Sequence, residues 1–348
     1  MRTLVGAFFV LFSIACLAET DSGLGVVYDS SPKPSRDFSQ LLKKAAKGDS
    51  RAQFRVGLAY ESGSGVAQNY SEAARWYRTA ADHGDAGAQN NLGTLYLRGL
   101  GVSSDSTEAV RWYLRAASQG VPAAENNLAS MYANGTGVPR DDARAVMWYR
   151  KAADKGFPPA QAALAFMYAA GRGVTQDDKT ALAFYRKAAE KGYGPAESNL
   201  ATMYWNGQGT AADSTEAARW YTRAARRGLA GAQVALGTMY LRGVGVSRDA
   251  GAAFDLLRKA ARQGSAEAEN EIGMAYLRGD GVPRDPAAAQ HWLDKAAEDG
   301  SPEARVSLQN MYGQSAPPVS SGTVGPSSVS DVVQSFQTRQ SPALTPQP

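Results

Sequence analysis

The chain has 348 residues, 44% hydrophobic and 20% charged, close to soluble globular averages, which excludes wholesale disorder. Its 37 Lys and Arg against 33 Asp and Glu leave a net charge of +4, too weak for a dedicated nucleic-acid binder without a clustered basic patch. One cysteine, Cys16, and two histidines, His83 and His291, leave almost no material for disulfides, thiolate metal sites or histidine-based catalysis, so no cofactor and no metal site are expected.

Residues 1–18, MRTLVGAFFVLFSIACLA, place Arg2 beside the amino terminus, an apolar run from Leu4 to Leu17, and small residues Cys16 and Ala18 ahead of polar Glu19. That order reads as a secretory signal peptide cleaved after Ala18, too short for a membrane anchor. The competing reading makes Cys16 a lipidated first residue and hence a lipid anchor. Either way the chain is expected to be exported, periplasmic or secreted, with no transmembrane span in its mature form. Residues 19–36, rich in Ser, Asp, Gly and Pro, read as a flexible tether. Residues 37–47 then carry the pattern of a single helix.

From there the sequence repeats. Tyr60, Tyr96, Tyr132, Tyr168, Tyr204, Tyr240, Tyr276 and Tyr312 are spaced 36 residues apart, as are Gly48, Gly84, Gly120, Gly156, Gly192, Gly228, Gly264 and Gly300. Repetition at this period signals a stacked architecture of one supersecondary unit per repeat. Within residues 88–120, Ala88, Leu92, Leu95 and Tyr96 form one stripe of a helix, here helix A. Gly99 stops it, since glycine takes the left-handed conformation without a side-chain clash. Helix B opens at Asp105, an N-cap whose equivalents are Asn69, Asp141, Asp177, Asp213, Asp249 and Asp285. Glu72, Glu108 and Glu216, three residues on, predict capping boxes. Helix B runs through Ala109, Trp112, Tyr113, Ala116 and Ala117 to Gly120. The alanines let helix axes approach closely, and Trp76, Trp112, Trp148, Trp220 and Trp292 fill the space between them. As a core residue, Trp148 is expected to cost about 3–5 kcal/mol on replacement by Ala.

Residues 303–312 form a lone helix A, so a half-unit stands at each end of seven full units, and the solenoid spans 37–312. Residues 313–348 are rich in Pro and Ser and nearly uncharged, and are expected to be disordered. Val329, Val332, Val333 and Phe336 in this tail fall at helical spacing; they form either a short helix on contact with a partner or an incidental apolar cluster.

The recurring Ala, Leu-Gly, Tyr, G-x-G-V, Asp and Trp-Tyr pattern resembles the Sel-1-like repeats, relatives of the tetratricopeptide repeats. That resemblance implies an all-α, right-handed solenoid of helix pairs whose first helices line a concave groove. It also implies a protein or peptide partner, in bacterial envelope assembly, signalling or host interaction. Some secreted, cysteine-rich members are credited with β-lactamase activity; a hydrolase acting on cell wall or a β-lactam is therefore the alternative reading. No repeat here contains cysteine, which puts that activity in doubt.

Other constellations give no catalytic residue. The G-x-G pairs, such as Gly99 and Gly101, follow a helix rather than a strand and recur in every unit, so they serve turn geometry. Asp141-Asp142 and Asp177-Asp178 occupy N-cap and first-turn positions. Arg115, Lys151, Lys187, Arg223, Lys259 and Lys295 sit near the ends of helices B, where cations complement the helix dipole.

With Ala88, Leu92, Leu95 and Tyr96 turned inward, the other side of helix A is the expected groove. It reads Asn90, Asn91, Thr94, Asn126, Asn127, Phe166, Asn199, Thr202, Trp205 and Leu241. Asparagine amides can both donate to and accept from an extended peptide backbone. Trp205 and Phe166 stand out as aromatics, either hot spots for a partner or side chains packed between adjacent helices A.

Overall fold

The computed structural model describes residues 35–313. The signal segment with Cys16, nearly all of the tether, and the cluster from Val329 to Phe336 lie outside the described residues. Within them the chain is all helical, sixteen helices numbered in chain order with no strand. Helices B are α1 (Arg36–Ala46), α3 (Tyr70–Asp82), α5 (Ser106–Ser118), α7 (Asp142–Asp154), α9 (Asp178–Glu190), α11 (Ser214–Arg226), α13 (Ala250–Ala261) and α15 (Pro286–Glu298). Helices A are α2 (Ser50–Ser62), α4 (Ala86–Arg98), α6 (Pro122–Asn134), α8 (Pro158–Ala170), α10 (Gly194–Asn206), α12 (Ala230–Arg242), α14 (Ala266–Arg278) and α16 (Pro302–Gly313). Unit 1 is α2 with α3, and so on to unit 7, α14 with α15. Each helix packs chiefly against its neighbours in sequence, which makes the molecule a solenoid of helix pairs.

Local chemistry sets the boundaries. Asn69 and the six aspartates accept N–H bonds from the first turn of helix B as side-chain N-caps. The expected capping boxes are replaced by another arrangement. The backbone N–H of each N-cap donates to the carbonyl of the repeat tyrosine, Asp105 to Tyr96 at 3.0 Å for example. Glu72, Glu108 and Glu216 are thereby released to pair with Arg75, Arg111 and Arg219 one turn along. The G-x-G turn uses its glycines differently. Gly99 has φ +67 and ends helix A, whereas a Cβ on Gly101 would meet the Tyr70 carbonyl oxygen at 2.3 Å. The second glycine thus admits the start of the preceding helix B.

The core follows the repeat. Ala88, Ala109 and Ala116 are fully buried, as are their equivalents in most units. Trp112 is 4% exposed and Trp76 and Trp220 are buried with it, but Trp148 and Trp292 are only half-buried. The helix-B cations of units 2, 3 and 5 lie over their rings. Arg115 sits 4.4 Å above Trp112, Lys151 4.0 Å above Trp148 and Arg223 4.6 Å above Trp220. In these units the cation three residues after the tryptophan stacks on it, so helix-dipole complementarity is not the whole role of this series.

Candidate functional site

Helix A is buried on more of its circumference than one amphipathic stripe suggests. It touches helix B of its own unit, helix B of the unit before, and the side chains of adjacent helices A, so both polar and apolar positions are enclosed. Asn90, Thr94, Asn126, Asn127 and Thr202 are all buried, Asn127 to 1% exposure. The expectation that these five line an open groove is corrected by their hydrogen bonds and packing. Asn127 donates its side-chain amide to Asn90 across the unit boundary at 3.1 Å, and Asn90 donates to Asn91 at 3.2 Å. Asn91 donates to the Tyr77 hydroxyl at 3.2 Å. Thr94 bonds the Tyr113 hydroxyl at 3.0 Å, and Thr202 bonds the Tyr221 hydroxyl at 2.8 Å.

The physical cause lies in helix B. Tyr77, Tyr113, Tyr149, Tyr185 and Tyr221 reach from helix B into the pair interface, and a buried phenol needs a partner. Asn and Thr on helix A supply it in four of the five. Burial pushes the Tyr113 phenol up to about 12, with the Thr94 hydrogen bond opposing. It drives Tyr77, Tyr149, Tyr185 and Tyr221 higher still.

Asn91, Phe166, Asn199, Trp205 and Leu241 remain half-buried, each with part of its surface open to solvent. Phe166 and Asn199 are brought together in one cavity of about 190 Å³, with Ala169, Ala170, Tyr185, Met203 and Gln208. Its origin is legible in the repeat. Units 2, 6 and 7 carry Leu-Arg at the end of helix A (Leu97-Arg98, Leu241-Arg242, Leu277-Arg278), whereas unit 4 carries Ala169-Ala170. Two truncated side chains leave the hollow between α8 and α10. Tyr185 contributes to its wall and is hydrogen-bonded to Asn199. Phe166 lies beneath the Arg172 guanidinium, 5.9 Å from its ring centre. Arg172 is itself fixed by Asp142 at 2.7 Å and by the Ala133 carbonyl at 2.8 Å. The hydrogen bonds from Arg172 and Arg140 hold the Asp142 carboxyl far below the usual carboxylate range. Trp205 packs on the core cluster that holds Tyr185 and Met203, and Leu241 on the next one, though neither lines the cavity.

One feature of the pairs was not anticipated. The fourth residue of helix A in each of the seven full units is a buried Gln or Glu (Gln53, Gln89, Glu125, Gln161, Glu197, Gln233, Glu269). Four of the glutamines donate to the carbonyl of an alanine ending the preceding helix B, at 3.1 to 3.2 Å. A side chain 30 residues on closes over three of these four and over two of the glutamates. Gln89 meets Gln119 at 2.8 Å, Glu125 meets Lys155 at 2.6 Å and Glu197 meets Arg227 at 2.8 Å. Glu269 pairs with Lys295. Lys155 also donates to the Gly120 carbonyl at 2.8 Å, so one side chain fastens two units. The matched Glu and cation at constant spacing were present in the sequence as a signal. Among the described residues no cluster of His, Cys, Asp or Glu could hold a metal ion, and no helix is long and apolar enough to cross a membrane.

The stacked pairs, with identity concentrated in the seams and variation on the helix-A wall, define a helical-repeat solenoid. The chain belongs to the Sel1 repeat family, whose model matches residues 50–85, 86–121, 122–157, 158–193, 194–229, 230–265 and 266–301. It is similar to c5321 of uropathogenic Escherichia coli, described as a protective antigen displaying an SLR fold: 32% identity, TM-score 0.73, covering 88% of this chain and 65% of that one. A Sel1 repeat protein from Oxalobacter formigenes shares 38% identity at TM-score 0.63 over 79% of both chains. The mouse protein DAP3-binding cell death enhancer 1 is 36% identical over 67 residues, 19% of this chain and 13% of its own length. The chain therefore spans less than two thirds of the E. coli protein and a small part of the mouse one.

Proposed function

We propose that this chain is an exported, non-catalytic scaffold that holds a protein or peptide partner against its helix-A wall, with one apolar partner side chain seated between α8 and α10. Sel1 repeats typically mediate protein–protein interaction. The observation that carries the placement is the cavity of about 190 Å³ with Phe166, Met203 and Asn199 in its lining. A cavity of about 150 Å³ already admits a benzene-sized ring, so a Phe- or Leu-sized side chain fits. Asn199 and half-buried Trp205 continue the contact surface along the wall. The exported placement rests on the signal-peptide order of residues 1–18. A hydrolase would need a nucleophile and a base in one place, and the lining of this cavity offers neither a serine, a histidine nor a carboxylate.

Tagged parent, Trp205→Ala and Ala169→Leu chains test the reading by recovery of partners from an envelope extract. Ala169→Leu restores the side chain that other units carry and fills the cavity. Loss of the same partner in both variants is the expected result. Unchanged recovery with Ala169→Leu defeats the placement of the site.

A further inference from the structure

The half-units at the two ends differ from the seven full units at the positions that hold a full unit together. In a full unit, helix B presents a small residue, a large one and a small one (Ala109, Tyr113 and Ala116 in unit 2) to its own helix A. Helix A answers with Gly93, where an added Cβ would lie 2.9 Å from the Tyr113 ring. Every unit obeys this rule with Gly or Ala at the Gly93 position, and with Ala at the other two. The lone helix B, α1, is in register, since Gln53 bonds the Ala45 carbonyl as Gln89 bonds that of Ala81. Yet the positions of Ala109 and Ala116 are Asp37 and Lys44 in α1, both exposed. The lone helix A, α16, has exposed Gln309 at the Gly93 position. It also has Arg305 where every full unit buries Gln or Glu.

The two ends are complementary in kind: among the described residues, α1 is a helix B without its helix A, and α16 is a helix A without its helix B. Val306 on α16 is 45% exposed, whereas Asn90, Asn126 and Asn270 at the same position are buried. Stacking of α16 on α1 of a second copy would complete an eighth unit and would propagate, because a head-to-tail contact that does not close builds a filament. In that composite unit Arg305 would meet Lys47, a like-charge pair, at the place where Glu125 meets Lys155. Gln309 would press on Leu41, and Asp37 and Lys44 would be buried without partners.

We infer that α1 and α16 are mating faces for a second copy of this chain, each held closed by charge and bulk at positions the repeat otherwise keeps small or oppositely charged. Full repeats stack without limit, and these four departures, Asp37, Lys44, Arg305 and Gln309, keep the chain a single solenoid.

Two full-chain variants test this. Asp37→Ala/Lys44→Ala opens the first face, and Arg305→Glu/Gln309→Ala opens the last, each using residues found in the full units. Each alone retains one closed face and sediments as a monomer. An equimolar mixture forms a heterodimer of twice the monomer mass by sedimentation velocity, and the chain with all four substitutions forms longer, concentration-dependent oligomers. Circular dichroism melts confirm that each variant is folded. Should Arg305→Glu/Gln309→Ala unravel α16, Arg305→Gln/Gln309→Gly carries the same arm. Folded variants that stay monomeric when mixed overturn the inference, as does a parent chain that itself associates end to end.

Discussion

Units 2 and 3 and units 4 and 5 share one backbone plan and present different walls. In the first stretch Asn90, Asn91 and Asn127 bond one another and Tyr77, and Thr94 bonds Tyr113, so the polar residues of helix A complete the interior. In the second, Ala169 and Ala170 leave a cavity, and Phe166, Asn199 and Trp205 keep part of their surface in water. A repeat protein need not dedicate its whole inner wall to recognition. Two adjacent truncations in one unit, Ala169 and Ala170, are enough to open a cavity in an otherwise closed seam.

The comparison makes its largest demand on tryptophan. Trp112, buried against the core below α4, is expected to cost about 3–5 kcal/mol on replacement by Ala, through lost burial and the cavity left behind. Trp205, already partly exposed, is expected to cost about 2 kcal/mol by the area it covers. Half-buried Trp148 is expected to fall below the value its sequence position suggests. Urea denaturation midpoints of the single variants report the difference. Equal losses for Trp112→Ala and Trp205→Ala would erase the distinction between a core tryptophan and one on the open wall.

A smaller effect comes from the tyrosine row that crosses both stretches. Burial raises these phenols above their ordinary value of 10.0. The folded state then binds the phenolic proton more tightly than the unfolded chain does. The stability this contributes is complete below pH 10 and is lost as pH rises from there towards the folded values, about 12 for Tyr113. Tyrosinate absorbance of these five residues should therefore appear together with the loss of helical circular dichroism. Their ionisation well ahead of unfolding would show the row to be accessible.

Much of this was legible in the residues. The 36-residue interval, the Asp N-caps and Gly99 give helices, boundaries and stacking order, because each depends on local backbone chemistry. The solvent exposure of Asn90, Thr94 and Asn127 was not legible. A helical stripe shows which face is apolar, but not that a helix is enclosed by four neighbours whose tyrosine hydroxyls need partners. The capping boxes failed for a related reason, since the carbonyl of Tyr96 outcompetes Glu108 for the Asp105 N–H. Two further signals are present in the sequence. They are the Ala169-Ala170 pair against Leu97-Arg98, and the 30-residue match of Glu125 with Lys155 and Glu197 with Arg227.

Met131 and Met203 occupy the same position in units 3 and 5, one in the closed stretch and one in the cavity lining. Titrating methionine-methyl-labelled chain with indole reads both at once by nuclear magnetic resonance. A saturable shift of the Met203 methyl, absent at Met131 and abolished by Ala169→Leu, is the result expected. A Met203 methyl that does not move, or one that moves together with Met131, would contradict the claim that recognition is confined to the wall between α8 and α10.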